Sequence, residues 1–314
     1  MDRIIFAFTR LWRYLNLYFL KPFDAVNDTL TASLVSRFDW AGDFVELGSG
    51  DGEYIYVMHG GKFPLWFDRY LLTDLAKKDI YDTHESNVLK STKKLNSPNI
   101  LLAIDAKETH VKKIHEIGFA RNAVVAEYEF LPIGDATVQK IFYYTPHGLK
   151  DHNRAIKEAY RILKKNGTLL ILLYDTAFCG SFLCFNLSRK VRNNKMRRYF
   201  SKLDNGRYDE ITNLAKSESE WEDFFIEKGF KTIRNHTGLS TIAWKVYDTQ
   251  TRPFLKPLVR FFNFFSLPIR TFLKLSWMIC WYPFLILFYI LFANDFFPFS
   301  KKNCYFAFEL EKVN

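Results

Sequence analysis

Cysteine is scarce in this chain, with 4 among 314 residues at positions 179, 184, 280 and 304. Their spacing sets up no metal-ligand pair, so no metal site is expected, and buried free thiols in a reducing compartment account for them. With so few cysteines and 48% hydrophobic residues, disulfide-scaffold, collagen-like and disordered classes are excluded. Acid is also in deficit. Asp and Glu number 34 against 44 Lys and Arg, a net charge of +10 that suits an anionic partner, either nucleic acid or a membrane surface. A cleavable leader is not expected either. Residues 4–20 are apolar, but Arg10 and Arg13 interrupt them and no small-residue cleavage site follows, so the catalytic part is expected to face the cytoplasm.

What the chain has in excess is aromatic side chains: 32 Phe, 17 Tyr and 7 Trp. Residues 252–300 hold 16 of these 56, and residues 1–23 hold seven. On a helical wheel of residues 2–21, Arg3, Thr9, Arg10, Arg13, Asn16 and Lys21 share one side. Ile4, Phe8, Leu11, Trp12, Leu15, Tyr18 and Phe19 share the other. Such a helix lies in a membrane interface or packs on the protein's own core. From Leu275 to Asn294 there are 20 residues without a charge, enough to cross a bilayer, with Trp277, Trp281 and Tyr282 toward one end. The preceding 253–274 is apolar but carries Lys256, Arg260, Arg270 and Lys274, and Pro257, Pro268 and Pro283 are expected to break the region into short helices.

Residues 43–52 read DFVELGSGDG, a short apolar strand followed by Gly48-x-Gly50-x-Gly52. Glycines there let the backbone turn sharply and approach a ligand at the end of a first parallel strand. A dinucleotide fingerprint needs a further glycine at position 53, which is Glu53, so that pattern fails. Ile100–Ala106 reads as a second strand ending in Asp105, Val124–Asp135 as a third running into a loop, 141–145 as a fourth, and 168–175 as a fifth. Residues 151–165 read as a helix with Ala155, Ala159, Ile162 and Leu163 in one stripe and Asn166-Gly167 as its cap. Strand–helix alternation of this kind predicts a doubly wound α/β sheet.

The segments VELGSGDG (45–52), AEYEFLPIGD (126–135) and EAYRILKKNGTLLIL (158–172) together resemble the class I S-adenosylmethionine-dependent methyltransferases, in the branch of the ubiquinone- and menaquinone-biosynthesis enzymes. The resemblance covers about 40–176, and again 220–237 and 303–313. It implies a Rossmann-like sheet of seven strands, the last antiparallel, and S-adenosylmethionine as cofactor. Carried over by position, it implies a cofactor site of Glu46, Gly48, Ser49, Gly50, Asp51 and Gly52, a ribose acid at Asp105, and an adenine-side loop at Glu127 and Tyr128. The family places its ribose acid nearer the glycine loop, where Asp74 stands. Asp105 is preferred because its distance to the Glu127 loop is normal, which makes 53–98 an insertion. Lys165-Asn166-Gly167 stands where the family often has Pro-Gly-Gly, a change confined to a cap.

Amino-methylating relatives tend to carry Asn/Asp-Pro-Pro-aromatic after the fourth strand. Here that position reads Tyr144-Thr145-Pro146-His147, which points to an O- or C-methyltransferase. A hydroxyl or carbon acid needs a proton acceptor. His147 is the candidate base, with Asp151 and His152 beside it. A helix cap and solvated histidines explain the same residues, and His59 is a second candidate, while His236 reads as structural.

The sequence divides into an amphipathic segment 1–39, a cofactor-binding domain 40–238, a hydrophobic insertion 239–302 and a final strand 303–314. If 275–294 crossed a bilayer once, the final strand would finish on the wrong side, so a monotopic or re-entrant insertion is expected over a spanning one or a soluble lid. That favours a lipid or lipid-linked acceptor at a membrane surface. The basic run Arg189, Lys190, Arg192, Lys195, Arg197 and Arg198 would meet headgroups or an anionic acceptor, or form a solvated helix face. An RNA or soluble small-molecule methyltransferase, or a non-catalytic membrane scaffold, are the competing readings. With no separate RNA-binding module in view, nucleic acid is the less favoured partner.

Overall fold

The computed structural model describes residues 2–77, 79–84, 95, 99–144, 151–249, 254–292 and 302–313. In chain order the elements are α1 (Asp2–Leu17), α2 (Pro22–Val35), β1 (Asp43–Leu47), α3 (Glu53–Met58), β2 (Asn99–Asp105), α4 (Glu108–Ile117), β3 (Ala120–Val125), β4 (Val138–Tyr143), α5 (His152–Ile162) and β5 (Leu163–Tyr174). Beyond these come α6 (Leu183–Lys190), α7 (Asn194–Leu214), α8 (Glu218–Glu227), β6 (Phe230–Ser240), α9 (Thr241–Thr249), α10 (Leu255–Asn263), α11 (Leu267–Phe292) and β7 (Asn303–Lys312).

Seven strands form one sheet in the order β3-β2-β1-β4-β5-β7-β6. The first five are parallel, with β1 central and flanked by β2 and β4. β1 and the second half of β5 are buried on both faces and read as the near-continuous apolar runs that a covered parallel sheet requires, whereas β3 at the sheet edge is largely exposed. The last strand runs antiparallel: Asp175 N donates to Cys304 O, while the Lys312 ammonium reaches the carbonyl of Leu163. This is the seven-stranded, doubly wound α/β sheet with a final antiparallel strand that the sequence predicted.

Two local expectations are corrected. Helix α5 stops at Ile162 rather than running to Lys165, because Leu163 is already extended and opens β5. Asn166 sits within that strand at φ 60°, and Gly167 is forced by its neighbours, since a Cβ there would lie 2.8 Å from Lys164 O. Pro283 does not break the apolar region, which forms one helix, α11. Pro257 and Pro268 fall in the first turns of α10 and α11, where a missing N–H costs nothing.

The chain divides into two compact units, one of residues 1–34, 174–218 and 237–306, the other of 35–173, 219–236 and 307–314. In the first, α1 packs against α11: Trp277 Nε1 donates to Phe19 O at 2.8 Å and the Tyr282 hydroxyl to Phe8 O at 3.0 Å. The polar tips of these aromatics are thus tied to backbone carbonyls of α1 and of the turn after it. All four cysteines are free; Cys184 and Cys304 are buried, but Cys280 is exposed, against expectation.

Candidate functional site

In the second unit, β1 ends at Leu47 and the chain turns through the glycine loop into α3. Gly48 N and Ser49 N both donate to Ile104 O, at 3.0 and 3.2 Å, pinning the loop to β2. Gly50 N donates to Asp105 Oδ2 at 2.9 Å, and the bond from Tyr56 N to Gly52 O starts the helix. Gly50 and Gly52 lie at φ 57° and 75°, where a Cβ is strained. Their surroundings differ. A Cβ on Gly52 would meet Phe119 at 2.4 Å, whereas at Gly50 it would meet nothing within 4 Å. Gly52 lets the loop pack on the α4 region; Gly50 keeps a space open in front of it.

Asp105 closes β2, next to β1 in the sheet. Besides Gly50 N, it accepts from Lys107 N at 3.0 Å, has His110 Nδ1 at 3.0 Å, and receives the Tyr128 hydroxyl at 3.4 Å. Burial and the Asp105 charge hold that phenol well above its usual range. Asp74 lies on no strand; it caps a turn, accepting from Ala76 N. Glu127 is exposed, and its backbone carbonyl, not its side chain, makes the loop's turn with Phe130. His147 lies outside the described residues.

Glu46 points from β1 into the same region, and burial, then the Asp105 charge, push its carboxyl well above the usual range. Both of its oxygens and the Ser49 hydroxyl are sealed from solvent without a hydrogen bond of good geometry. Asp51 and Glu53 share Arg69, at 2.6 and 3.3 Å. Burial and the neighbouring Asp51 raise Glu53 to about 7. Burial acts the same way on Asp51, but Arg69, Lys113 and His110 outweigh it and bring Asp51 below its usual value. Arg69 itself is held over the Tyr81 ring at 4.0 Å.

Arg69, His110 and Tyr143 escaped the sequence reading. Arg69 lies in a short 3-10 helix, Arg69–Leu72, inside the insertion, where no motif points to it. Tyr143 ends β4 with its hydroxyl buried and, among the described residues, without a hydrogen-bond partner, and burial raises it far above a normal phenol. The position of His110, one turn into the helix after Asp105, was the one legible signal.

The motifs at 126–135 and 158–172 are bound together. Arg161 pairs with Glu158 at 2.8 Å and Asp135 at 2.5 Å and donates to the carbonyls of Leu131 and Ile133, while Leu131 N donates to Glu158. Asp151 accepts from Arg154 N as the cap of α5, which settles its role as a cap. The His59 ring packs edge-on against Trp40, and His236 lies beside Phe38. In the first unit, an open pocket of about 730 Å³ is lined by Asp175, Thr176, Ser181, Thr241, Lys245 and Lys302.

A parallel sheet with β7 inserted antiparallel beside β5, and a glycine loop leading from β1 into α3, is the architecture of the class I S-adenosylmethionine-dependent methyltransferases. Residues 45–171, about two fifths of the chain, match the methyltransferase domain family, which supports an enzyme that uses S-adenosylmethionine. None of the curated proteins matches it. Among similar solved structures is a possible histamine N-methyltransferase from Thermotoga maritima, 16% identical over 73% of this chain and 84% of that one, with a TM-score of 0.43. Another is geranyl diphosphate C-methyltransferase from Streptomyces coelicolor, 10% identical over 90% and 76%, with a TM-score of 0.45. A third is a putative methyltransferase from Bacillus halodurans, 14% identical over 90% and 99%, at 0.43. Likeness of this degree assigns no substrate.

Proposed function

We propose that the chain is an O- or C-methyltransferase acting on a lipid or lipid-linked acceptor at the cytoplasmic face of a membrane. S-adenosylmethionine supplies an electrophilic methyl on a sulfonium when bound. The residues beside the glycine loop leave polar groups for this ligand: Glu46 offers a buried carboxyl next to Ser49, and Asp105 stands beside it at the end of β2. In this reading Glu46 and Ser49 meet the methionine end, and Asp105 takes the ribose hydroxyls. The Gly48–Gly52 backbone gives close approach at Gly50, and the Glu127–Tyr128 loop borders the adenine. His147, following β4, takes the proton of a hydroxyl or carbon acid.

The observation that carries the membrane half of the reading is the inverted polarity of α11. Arg270 and Lys274 are each 1% exposed and face inward, while Phe272 is 68% exposed and Ile269, Ile279, Phe284, Leu287 and Leu291 also face outward. Arg270 bonds Asn263, and the Lys274 ammonium lies over the Phe19 ring at 5.3 Å. A helix folded for water places its charges the other way. Phe254, Phe261 and Phe264 extend the apolar surface along α10. Beneath it, a groove of about 490 Å³ lined by Leu20, Phe23, Phe254, Phe261, Trp277 and Trp281 has the character of a lipid-chain site. Helix α11 is long and apolar enough to cross a bilayer by length and composition. Because β7 returns to the sheet after it, an in-plane seat is favoured.

Two measurements test this. Calorimetry should detect S-adenosylmethionine binding to the wild type and none to Gly50→Arg; a wild type that gives no heat refutes the catalytic reading. Flotation with phosphatidylcholine vesicles should lift the wild type but not Phe264→Ser/Phe272→Ser. Equal flotation of the two would remove α10–α11 as the membrane surface.

A further inference from the structure

The basic run spans the end of α6 (Arg189, Lys190), the linker residue Arg192 and the start of α7 (Lys195, Arg197, Arg198). The stacked rings of Phe185 and Tyr208, with centroids 3.6 Å apart, hold the two helices together. Between them lies a groove of about 400 Å³ lined by Arg189, Arg197, Arg198, Ser188 and Ser201. Arg189 leans toward the Phe185 ring, 5.7 Å from its centroid. Among the described residues none of the three arginines has a carboxylate in ion-pair contact. The buried acid nearby, Asp204, instead accepts from the backbone N–H of Phe185 at 2.7 Å.

This arrangement runs against helix electrostatics. The first turn of α7 carries Lys195 and Arg197 and no acid, although the positive end of a helix favours acids. Three guanidinium groups around one concavity repel each other unless an anion joins them. A phosphate group is the anion whose geometry matches several guanidinium forks at once. An RNA track would instead call for an extended basic strip with aromatic faces for stacking, whereas this groove is short, bordered by one turn of each of two helices.

We propose that the α6–α7 groove binds a terminal phosphate or diphosphate group, carried by an anionic lipid headgroup or by a phosphorylated acceptor. The proposal deepens the membrane-lipid reading above by naming the polar end of what is bound. It rests on different residues from α10–α11, so the two fail separately.

The test compares the wild type, Arg197→Gln/Arg198→Gln and Arg189→Gln. Inorganic pyrophosphate is titrated by calorimetry at low and at physiological salt. Flotation uses neutral phosphatidylcholine vesicles and the same vesicles containing phosphatidic acid. The expected result is pyrophosphate binding to the wild type that weakens roughly tenfold or more in each variant, while S-adenosylmethionine binding and flotation on neutral vesicles are unchanged. Extra flotation on phosphatidic acid, lost in the variants, assigns the phosphate to a headgroup. Pyrophosphate binding without that gain assigns it to a soluble acceptor. Equal binding by wild type and variants, no binding of either probe, or binding of a short single-stranded RNA in preference to both overturns the proposal. Loss of neutral-vesicle flotation by Phe264→Ser/Phe272→Ser with pyrophosphate binding intact bears on the membrane reading alone.

Discussion

The carboxylate of Asp105 accepts a hydrogen bond from the backbone N–H of Gly50 at 2.9 Å, joining the end of β2 to the middle of the loop that follows β1. The same carboxylate orders Lys107 N, His110 and Tyr128 around it.

Replacing Asp105 with Asn should therefore weaken S-adenosylmethionine binding by roughly 10- to 100-fold, the size expected when hydrogen bonds to a charged acceptor are lost. Asp74→Asn should bind like the wild type. Calorimetry on both variants decides between the two acids, and the reverse ranking would move the ribose role to Asp74.

Two glycines of one loop should respond differently to the same methyl group. Gly52→Ala drives a Cβ against Phe119 and should cost about 2–4 kcal/mol, combining overpacking with left-handed strain. Gly50→Ala meets open space and should cost only about 1 kcal/mol of stability. Its loss should appear in cofactor affinity, because the added methyl fills the space in front of the loop. Thermal melts and calorimetry on the pair check this, and a Gly50→Ala protein with wild-type affinity would contradict it.

Glu53, raised to about 7, makes stability depend on pH. Between its ordinary value near 4.5 and about 7, the folded state holds a proton that the unfolded state has released, so stability falls as pH rises through this window. Glu46 acts in the same direction, and the depressed Asp51 titrates below the window. Glu53→Gln should flatten the profile, removing roughly 1–3 kcal/mol of pH dependence between acid and neutral conditions. Urea melts across that pH range measure it; parallel profiles for wild type and variant would rule it out.

Arg270 faces inward from α11 against Phe262 and bonds Asn263. Arg270→Ala should destabilise the helical unit by roughly 2–4 kcal/mol through lost packing and an unpaired amide. Arg270→Met, which keeps the stem, should cost much less. Circular-dichroism melts rank the two, and an alanine variant as stable as wild type would mean that Arg270 is not part of the packing.

Much of the sheet was legible because parallel strands buried on both faces leave unbroken apolar runs, as in β5, and the loop announced itself through Gly48, Gly50 and Gly52. Asp105 was legible by its place at a strand end. Arg69 was not, because an arginine reaching back from an insertion to Asp51 and Glu53 leaves no periodic trace. The extent of α11 was misread for a related reason. Local rules break a helix at proline, but tertiary packing of Leu285, Phe288 and Tyr289 beyond Pro283 carries it through. The wheel of α1 placed Leu11, Leu15, Tyr18 and Phe19 on the buried side as found, but it put Asn16, which is buried, on the polar side; the partner of this face, Tyr282 against Trp12, lies far away in sequence.

The place of β7 between β5 and β6 has a consequence for the order in which the chain assembles. Helices α9, α10 and α11 are synthesised before the strand that closes the sheet. Until β7 arrives, β5 and β6 each keep an edge with unpaired backbone groups, the kind of edge that invites wrong pairing. The hydrogen bond from Thr241 N to Lys302 O and that between Asn303 and Thr237 then bring the two ends of the helical segment side by side. Closure of the sheet is thus a late, non-local event during biogenesis, and the most apolar stretch of the chain must find its surroundings before it happens.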